Sequence, residues 1–470
     1  MNPISIPAPW ASGFSQEDTP DYEILNTCVQ CGLCLPTCPT YRETYREQSS
    51  PRGRLHLMRS VYEGQLDVLD PAFATQMSEC LDCRACEAVC PSGVQYGKVL
   101  EASRAQVEQA REQRGMRSRP ERLVRSFVFG WLFKRLSRLR LVGGTARIYQ
   151  QCGLQRLTRS TGLLRALRLE YLEQQLPGLS NSFFVPHGQV YPAVGERRGR
   201  VGLLAGCIMH VAYAGIDRAT VRVLRQNGWE VVVPRAQGCC GALHAHAGAI
   251  DQGRELMRRN IAVFESADVE LVVNNSAGCG AAMKEYGHLL HADQVWAERA
   301  ATFSAGVRDI TELLATSPLR GKLGRIDATV TYQEPCHLAH AQRIAAAPRT
   351  LLAAIPGLKL VEMAEASLCC GSAGIYSIIQ PQMSADLRDR KLSHALATEA
   401  QIIATANPGC MLQLRAGLQA SSEFRVPKSE SMGPANRDPD HDSVGQQRSM
   451  VQVRHIVELL DESYRRGCTS

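Results

Sequence analysis

Two periodicities divide this 470-residue chain. Beyond about Arg200, short apolar, β-branched runs alternate with helical patterns. The runs are "RVGLLAG", "WEVVVP" and "VELVVNNS", and later "ATVTYQE", "LKLVEM" and "QIIATANP". Each stops at a turn carrying Cys, Gly, Asn or Pro, so strand, loop and helix alternate, which predicts α/β units with largely parallel sheets. Before Arg200 the pattern is helical. "SPRGRLHLMRSVYEG" reads as one helix, and "RPERLVRSFVFGWLFKRLSRLRLVGG" as an amphipathic basic helix that either lies on a membrane surface, docks a partner, or packs on the flanking domains. The strongest apolar run, "FVFGWLF" at Phe127 to Phe133, falls far short of a membrane span.

The later region repeats itself. Cys207 pairs with Cys336, "GCCGALHAHAG" with "LCCGSAGIY", and "SAGCGAAM" with "NPGCMLQL", at cysteine offsets of 129, 130 and 131 residues. So small a drift over three landmarks indicates an internal duplication. "VRDITELLA" and "VRHIVELLD" are also counterparts, but Ile310 and Ile456 lie 146 residues apart. About fifteen extra residues must therefore enter the second copy. They fall within Ser421 to Met450, a polar segment without apolar periodicity that reads as a disordered surface loop. Solvation explains its aspartates and His441 better than a metal does.

Charge changes the picture in one segment. The net +7 arises because Arg111 to Glu170 is +12 and the remainder −5. That segment suits anionic lipid or an acidic partner. No recognised motif points to nucleic acid. The N-terminus lacks a basic, then apolar, leader, so export is not expected.

Eighteen cysteines in such a chain suggest metal or redox chemistry rather than disulfide staples. "CVQCGLCLPTCP" and "CLDCRACEAVCP" are both C-x2-C-x2-C-x3-C-P. In this iron–sulfur run three close thiolates serve one [4Fe–4S] cube and the fourth, before Pro, crosses to the other. The rule assigns Cys28, Cys31, Cys34 and Cys90 to one cube and Cys80, Cys83, Cys86 and Cys38 to the second. Zinc sites use paired C-x2-C knuckles, and a third and fourth cysteine at these spacings have no zinc logic. The chain shows no G-x-G-x-x-G after a strand, so it suggests no flavin or nicotinamide site of its own.

The two motifs start 52 residues apart with a helix between them, which resembles the α-helical ferredoxin domain of respiratory iron–sulfur subunits. The duplication resembles the CCG domain of heterodisulfide-reductase-like proteins, a Cys, then C-C-G, then C-x-x-C. Cys207, Cys239, Cys240 and Cys279 match in one copy, and Cys336, Cys369, Cys370 and Cys410 in the other. Here the last cysteine is missing, because Cys279 is followed by "GAA" and Cys410 by "MLQ". Four thiolates per half suffice for an additional Fe–S cluster or zinc. A redox disulfide or inert buried thiols are the alternatives. His210, His244, His246, His337 and His340 lie beside these cysteines and read as hydrogen-bond partners rather than ligands. Cys152 and Cys468 stand alone and read as structural.

Together with "SPRGRL", these features resemble the glycolate oxidase iron–sulfur subunit family. The resemblance implies an electron-transfer chain that itself binds no substrate. It would be assembled with FAD-binding flavoprotein subunits that oxidise glycolate to glyoxylate, and would pass electrons to a quinone or another membrane acceptor. It also implies a cytoplasmic protein, peripheral to the inner face of the membrane. The iron–sulfur subunit of anaerobic glycerol-3-phosphate dehydrogenase and a thiol/disulfide redox protein of the heterodisulfide-reductase type are the alternatives. The expected architecture is α+β multidomain. It comprises an α-helical ferredoxin domain (1–110), a basic helical connector (111–199), a first CCG domain (200–325), and a second (326–470) with an insertion at 421–450.

Overall fold

The computed structural model describes residues 12–162, 164, 173, 176, 178–423 and 451–468. Up to β1 (Gln189–Tyr191), the described residues form helices and loops but no strand. Helices Pro39–Thr44, Pro51–Tyr62 and Pro71–Glu79 each begin at a proline, whose fixed φ suits a first turn. Ser50 and Asp70 cap the latter two through side-chain bonds to Gly53 N (3.0 Å) and Ala72 N (2.8 Å). With Tyr96–Gln113 these helices bury Leu55, Met58, Phe73, Val99 and Leu100 in one core that the cysteine loops share.

The stretch "RPERLVRSFVFGWLFKRLSRLRLVGG" of the connector is divided between two helices where the sequence predicts one. Arg119–Arg125 continues into a π-helical stretch, Ser126–Leu132, and the chain turns extended at Arg135 before Leu136–Gln151 starts. Arg138 stabilises the break by donating to Trp131 O (2.9 Å), a carbonyl the first helix leaves open. One face packs as an ordinary helix would, with Leu136 and Leu139 buried against the first thiol-bearing half.

All six predicted runs contain strands. β2 (Gly199–Leu203), β3 (Trp229–Val233), β4 (Leu271–Asn274) and β5 (Val307–Asp309) are mutually parallel in the order β3-β2-β4-β5, and β1 joins β3 antiparallel. In the second half β6 (Ala328–Tyr332), β7 (Leu358–Leu360), β8 (Ile402–Thr405) and β9 (Gln452–His455) form a parallel sheet in the order β7-β6-β8-β9. β5 and β9 are counterparts and open "VRDITELLA" and "VRHIVELLD". The predicted insertion lies, from residue 424, outside the described residues.

The halves pack by exchange. Helix Ala214–Gln226 of the first rests on Ile456–Cys468 of the second, and Ala346–Ala353 of the second rests on Ile310–Ala315 of the first. One apolar core accordingly runs through both sheets, from Val201, Leu203 and Val273 to Val330, Ile402 and Ile456.

Candidate functional site

The eight motif cysteines line two adjoining cavities in the helical unit. Cys28, Cys31, Cys34 and Cys90 line one, partly open to solvent. Cys38, Cys80, Cys83 and Cys86 line the other. Pro51, Cys86 and Tyr96 border both and form the wall between them. Backbone shape explains how each loop wraps its cavity. Gln30 and Gly32 in the first motif, and Asp82 and Arg84 in the second, occupy the same positions with φ of 58°, 80°, 52° and 59°. These left-handed residues turn successive amides inward, and Asp82 N reaches Cys80 Sγ at 3.5 Å.

"SPRGRL" builds the wall. Gly53 is required because a Cβ there would stand 2.1 Å from Glu47 O. Arg52 ties the first loop through Gln30 O (3.0 Å). Arg54, fully buried, donates to Gln76 O (2.9 Å) and Thr40 Oγ1 (3.1 Å) and approaches Cys38 Sγ at 4.0 Å. Burial disfavours its charge, but the neighbouring Cys80, Tyr96 and Cys38 outweigh burial and hold the guanidinium above its usual range. Cys80 Sγ also receives Tyr96 OH (3.6 Å). Burial pushes the thiol of Cys34 up to about 11 and raises those of Cys83 and Cys86. All eight thiols are free. Four soft donors around an apolar cavity fit a cubane cluster, which requires and stabilises their deprotonation.

In each half the four predicted cysteines follow the C-terminal ends of the strands, where loops of parallel sheets carry chemistry. Cys207 and Cys239 sulfurs lie 3.6 Å apart, and Cys336 and Cys369 3.9 Å apart. The hydrogen-bonded series continues through Cys240 to Cys279, and through Cys370 to Cys410. Hydrogen bonds shared within each quartet hold Cys239, Cys336 and Cys370 well below the usual thiol range and lift Cys207, Cys240, Cys369 and Cys410 above it. Each quartet therefore presents thiolate character, which suits a metal donor or a redox thiol. His337 Nδ1 lies 3.6 Å from Cys336 Sγ, and His244, which bonds Phe129 O (3.1 Å), supports the Cys239 thiolate. His210 and His340 instead bond Gly206 O and Ser367 O. Cys152 and Cys468 are exposed, so the structural role expected of them is not seen.

The structure also assembles a charged junction that single positions in the sequence do not announce. Arg84 bonds Asp82 (2.7 Å) and pairs with Glu101 (3.5 Å) inside the helical unit, and with Glu285 of the first half (3.1 Å). Its guanidinium lies over Gly97, where a Cβ would meet Cζ at 1.6 Å. His246 of the first half pairs with Glu101 (3.0 Å) and Asp82 (3.3 Å). Burial works against its charge, yet these carboxylates hold it up at about 10. The non-glycine left-handed backbone at Arg84 was the available signal, and it becomes visible only in three dimensions.

The second half meets the helical unit differently. Cys83, Leu81 and Ala85 share a buried cluster with Cys336, Cys369, Tyr376 and Leu387. Tyr376 OH donates to Glu79 O (3.0 Å) beside them.

Known proteins match this organisation in sections. Residues 24–94 match the family described as 4Fe-4S dicluster domain, and residues 201–284 and 330–415 match the CCG cysteine-rich domain. Residues 120–176 match the linker region of the glycolate oxidase iron-sulfur subunit. These matches indicate Fe–S clusters. The chain is 41% identical over 403 residues to a "Probable glycolate oxidase iron-sulfur subunit" of Bacillus subtilis (strain 168), covering 84% of this chain and 89% of that protein. It is 33% identical over 397 residues to a "Glycolate oxidase iron-sulfur subunit" of Escherichia coli (strain K12), covering 83% and 90%. A "Lactate utilization protein A" of Geobacillus kaustophilus (strain HTA426) is 31% identical over 216 residues, 46% of this chain and 90% of that protein. Similarity across the helical unit, the connector and both thiol-bearing halves leaves one conclusion: the chain belongs to the glycolate oxidase iron–sulfur subunit family.

Proposed function

We propose that this chain is the electron-transfer subunit of a complex in which an FAD-bearing partner oxidises glycolate, with a quinone or another acceptor beyond it at the inner face of the membrane. The observation that carries the reading is that the eight motif cysteines line two adjoining cavities, with Cys86 on the wall that borders both. In this reading Cys28, Cys31, Cys34 and Cys90 hold one [4Fe–4S] cluster, and Cys38, Cys80, Cys83 and Cys86 the other. The clusters, when bound, supply one-electron carriage. The chain's own residues do the rest. Tyr96, Pro51 and Leu55 keep water from the cavities, and Arg54 and the Asp82 amide place positive charge against the sulfurs of the second set. Such contacts raise a cluster's potential. Exposed Cys31 makes the first cavity the one a redox partner reaches, whereas Cys83 faces the second thiol quartet.

The quartets support a metal or cluster site of four donors. Their sulfur separations of 3.6 and 3.9 Å also favour a second reading, a buried thiol/disulfide couple. Iron, sulfide and zinc analysis with EPR of the anaerobically purified protein, alone and with its flavoprotein, tests the whole. We expect about eight irons in two interacting cubane signals, reduced by glycolate only when the flavoprotein is present. Iron beyond that content, or zinc beside it, assigns a metal to the quartets. Zinc without iron in fully loaded protein overturns the reading.

A further inference from the structure

The connector buries one side and leaves an apolar stripe on the other. In the first helix and its π-helical continuation Leu123 is 71% and Val124 61% exposed, and Phe127 is exposed one turn on, while Phe129 is buried. In Leu136–Gln151, Leu141 and Ile148 are 64% and 63% exposed, seven residues and therefore two turns apart, while Leu136, Leu139 and Gly143 are buried. The next helix, Leu154–Ser160, buries no residue and exposes Leu154 and Leu157. Large apolar side chains left exposed together on helix faces rimmed by polar groups mark an interaction site.

Charge identifies the occupant. Arg119, Arg122, Arg135 and Arg156 are exposed among these stripes, and none forms an ion pair with a described residue. Other basic residues of the segment are paired, as Arg117 is with Glu108 and Lys134 with Glu255, so these four arginines are what leaves positive charge beside leucine, valine and phenylalanine. Trp131 stacks on Phe127 (5.2 Å between centroids) and receives the Arg138 guanidinium on its ring, so an amphipathic aromatic pair stands where apolar meets basic. No described helix is long and apolar enough to cross a membrane. Contact with a bilayer would therefore be interfacial, the arrangement basic amphipathic helices adopt.

We propose that this connector face is an anionic-lipid binding surface that seats the subunit on the bilayer, with the leucine stripes entering the headgroup region and the four arginines on lipid phosphates. The proposal rests on the electron-transfer reading only for its purpose, since a membrane acceptor requires proximity to the bilayer.

Cosedimentation of the full, cluster-loaded chain with vesicles of phosphatidylglycerol and phosphatidylcholine, or of phosphatidylcholine alone, tests it. We expect binding to the anionic vesicles only, weakened by salt. R119Q, R122Q, R135Q and R156Q should each lower the partition constant about fivefold, and L123S/F127S should abolish binding, with iron content and the EPR spectrum unchanged. Equal binding to both vesicle types, or variants that bind like the parent, overturns the proposal. So does a stripe variant that loses its flavoprotein partner while the parent ignores vesicles, since the face then belongs to a protein. Cluster reduction by glycolate is read separately in detergent-free buffer, so failure of the electron-transfer reading remains distinct from failure of lipid binding.

Discussion

The two copies of the duplicated unit share strand order, helix exchange and a four-thiol loop cluster, yet they bury different groups where they meet the helical unit. The first half docks through buried charge, with Glu285 on Arg84, and His246 on Asp82 and Glu101. The second half packs sulfur and apolar groups at its buried contact, with Cys336 and Cys369 against Cys83 and Leu81, and keeps its charge pairs, Arg42 with Glu365 and Arg390 with Glu43 (2.9 Å), at the half-exposed edge. The first thiol quartet instead packs with Leu136 and Leu139 of the connector. Duplication supplied two equal frames, and the surroundings made one half an anchor and the other the neighbour of a motif cysteine, Cys83.

The largest expected effect breaks the anchor. Arg84→Met would leave Asp82, Glu101 and Glu285 buried without their main counter-charge, a loss of about 3–5 kcal/mol, read as a lower midpoint in anaerobic thermal unfolding. If the midpoint held, the charged junction would be ornament and the halves more alike than they look. Next comes the sulfur contact. Cys336→Ser should alter the EPR signal or potential of the cluster at Cys38, Cys80, Cys83 and Cys86 and slow electron flow about 10–100-fold. Cys207→Ser should leave that signal in place, and an equal response of both variants would erase the distinction between the quartets.

The smallest effect concerns one equivalent position, Asp309 in β5 and His455 in β9. Each precedes a helix and each is fully buried. Asp309 accepts from Thr311 N (2.8 Å), whereas His455 bonds Asn275 O (3.0 Å) across the seam and accepts from Val457 N (3.2 Å). Burial pushes Asp309 up to about 6 and His455 down to about 4. The depressed histidine contributes stability that is complete above its unfolded value near 6.5 and is lost as pH falls toward about 4. The raised aspartate contributes below its unfolded value near 3.9, and that is lost as pH rises through about 6. Unfolding midpoints between pH 5 and 8 should therefore show His455→Gln flattening the acid limb. Asp309→Asn should gain on the parent as pH rises to about 6 and keep that gain above it, and parallel pH profiles for the parent and both variants would contradict the assignment.

Much of this was legible beforehand because it is local. The C-x2-C-x2-C-x3-C-P spacing brings three thiols onto one loop whatever the rest of the chain does, and the drift of 129 to 131 residues marked the duplication before any coordinate. The six apolar runs became strands because β-branched residues between turn residues have few other options. β1 was not legible: three residues beside Pro and Gly have no periodicity to read, and pairing with β3 alone makes Gln189–Tyr191 a strand. The single connector helix was predicted from composition, whereas packing against the first half and the Arg138 bond to Trp131 divide it.

The kind of chemistry was already set along the chain, because thiol spacing is covalent, and motif grammar predicts the crossing of Cys38 and Cys90. Tertiary structure alone decided which groups lie beside that chemistry. Cys83 and Cys336 are 253 residues apart, and Arg84 and Glu285 are 201 apart. Nothing local links such pairs. They meet because the helix exchange between the halves and the close packing of the core leave one arrangement in which the apolar faces are covered and the buried charges are paired.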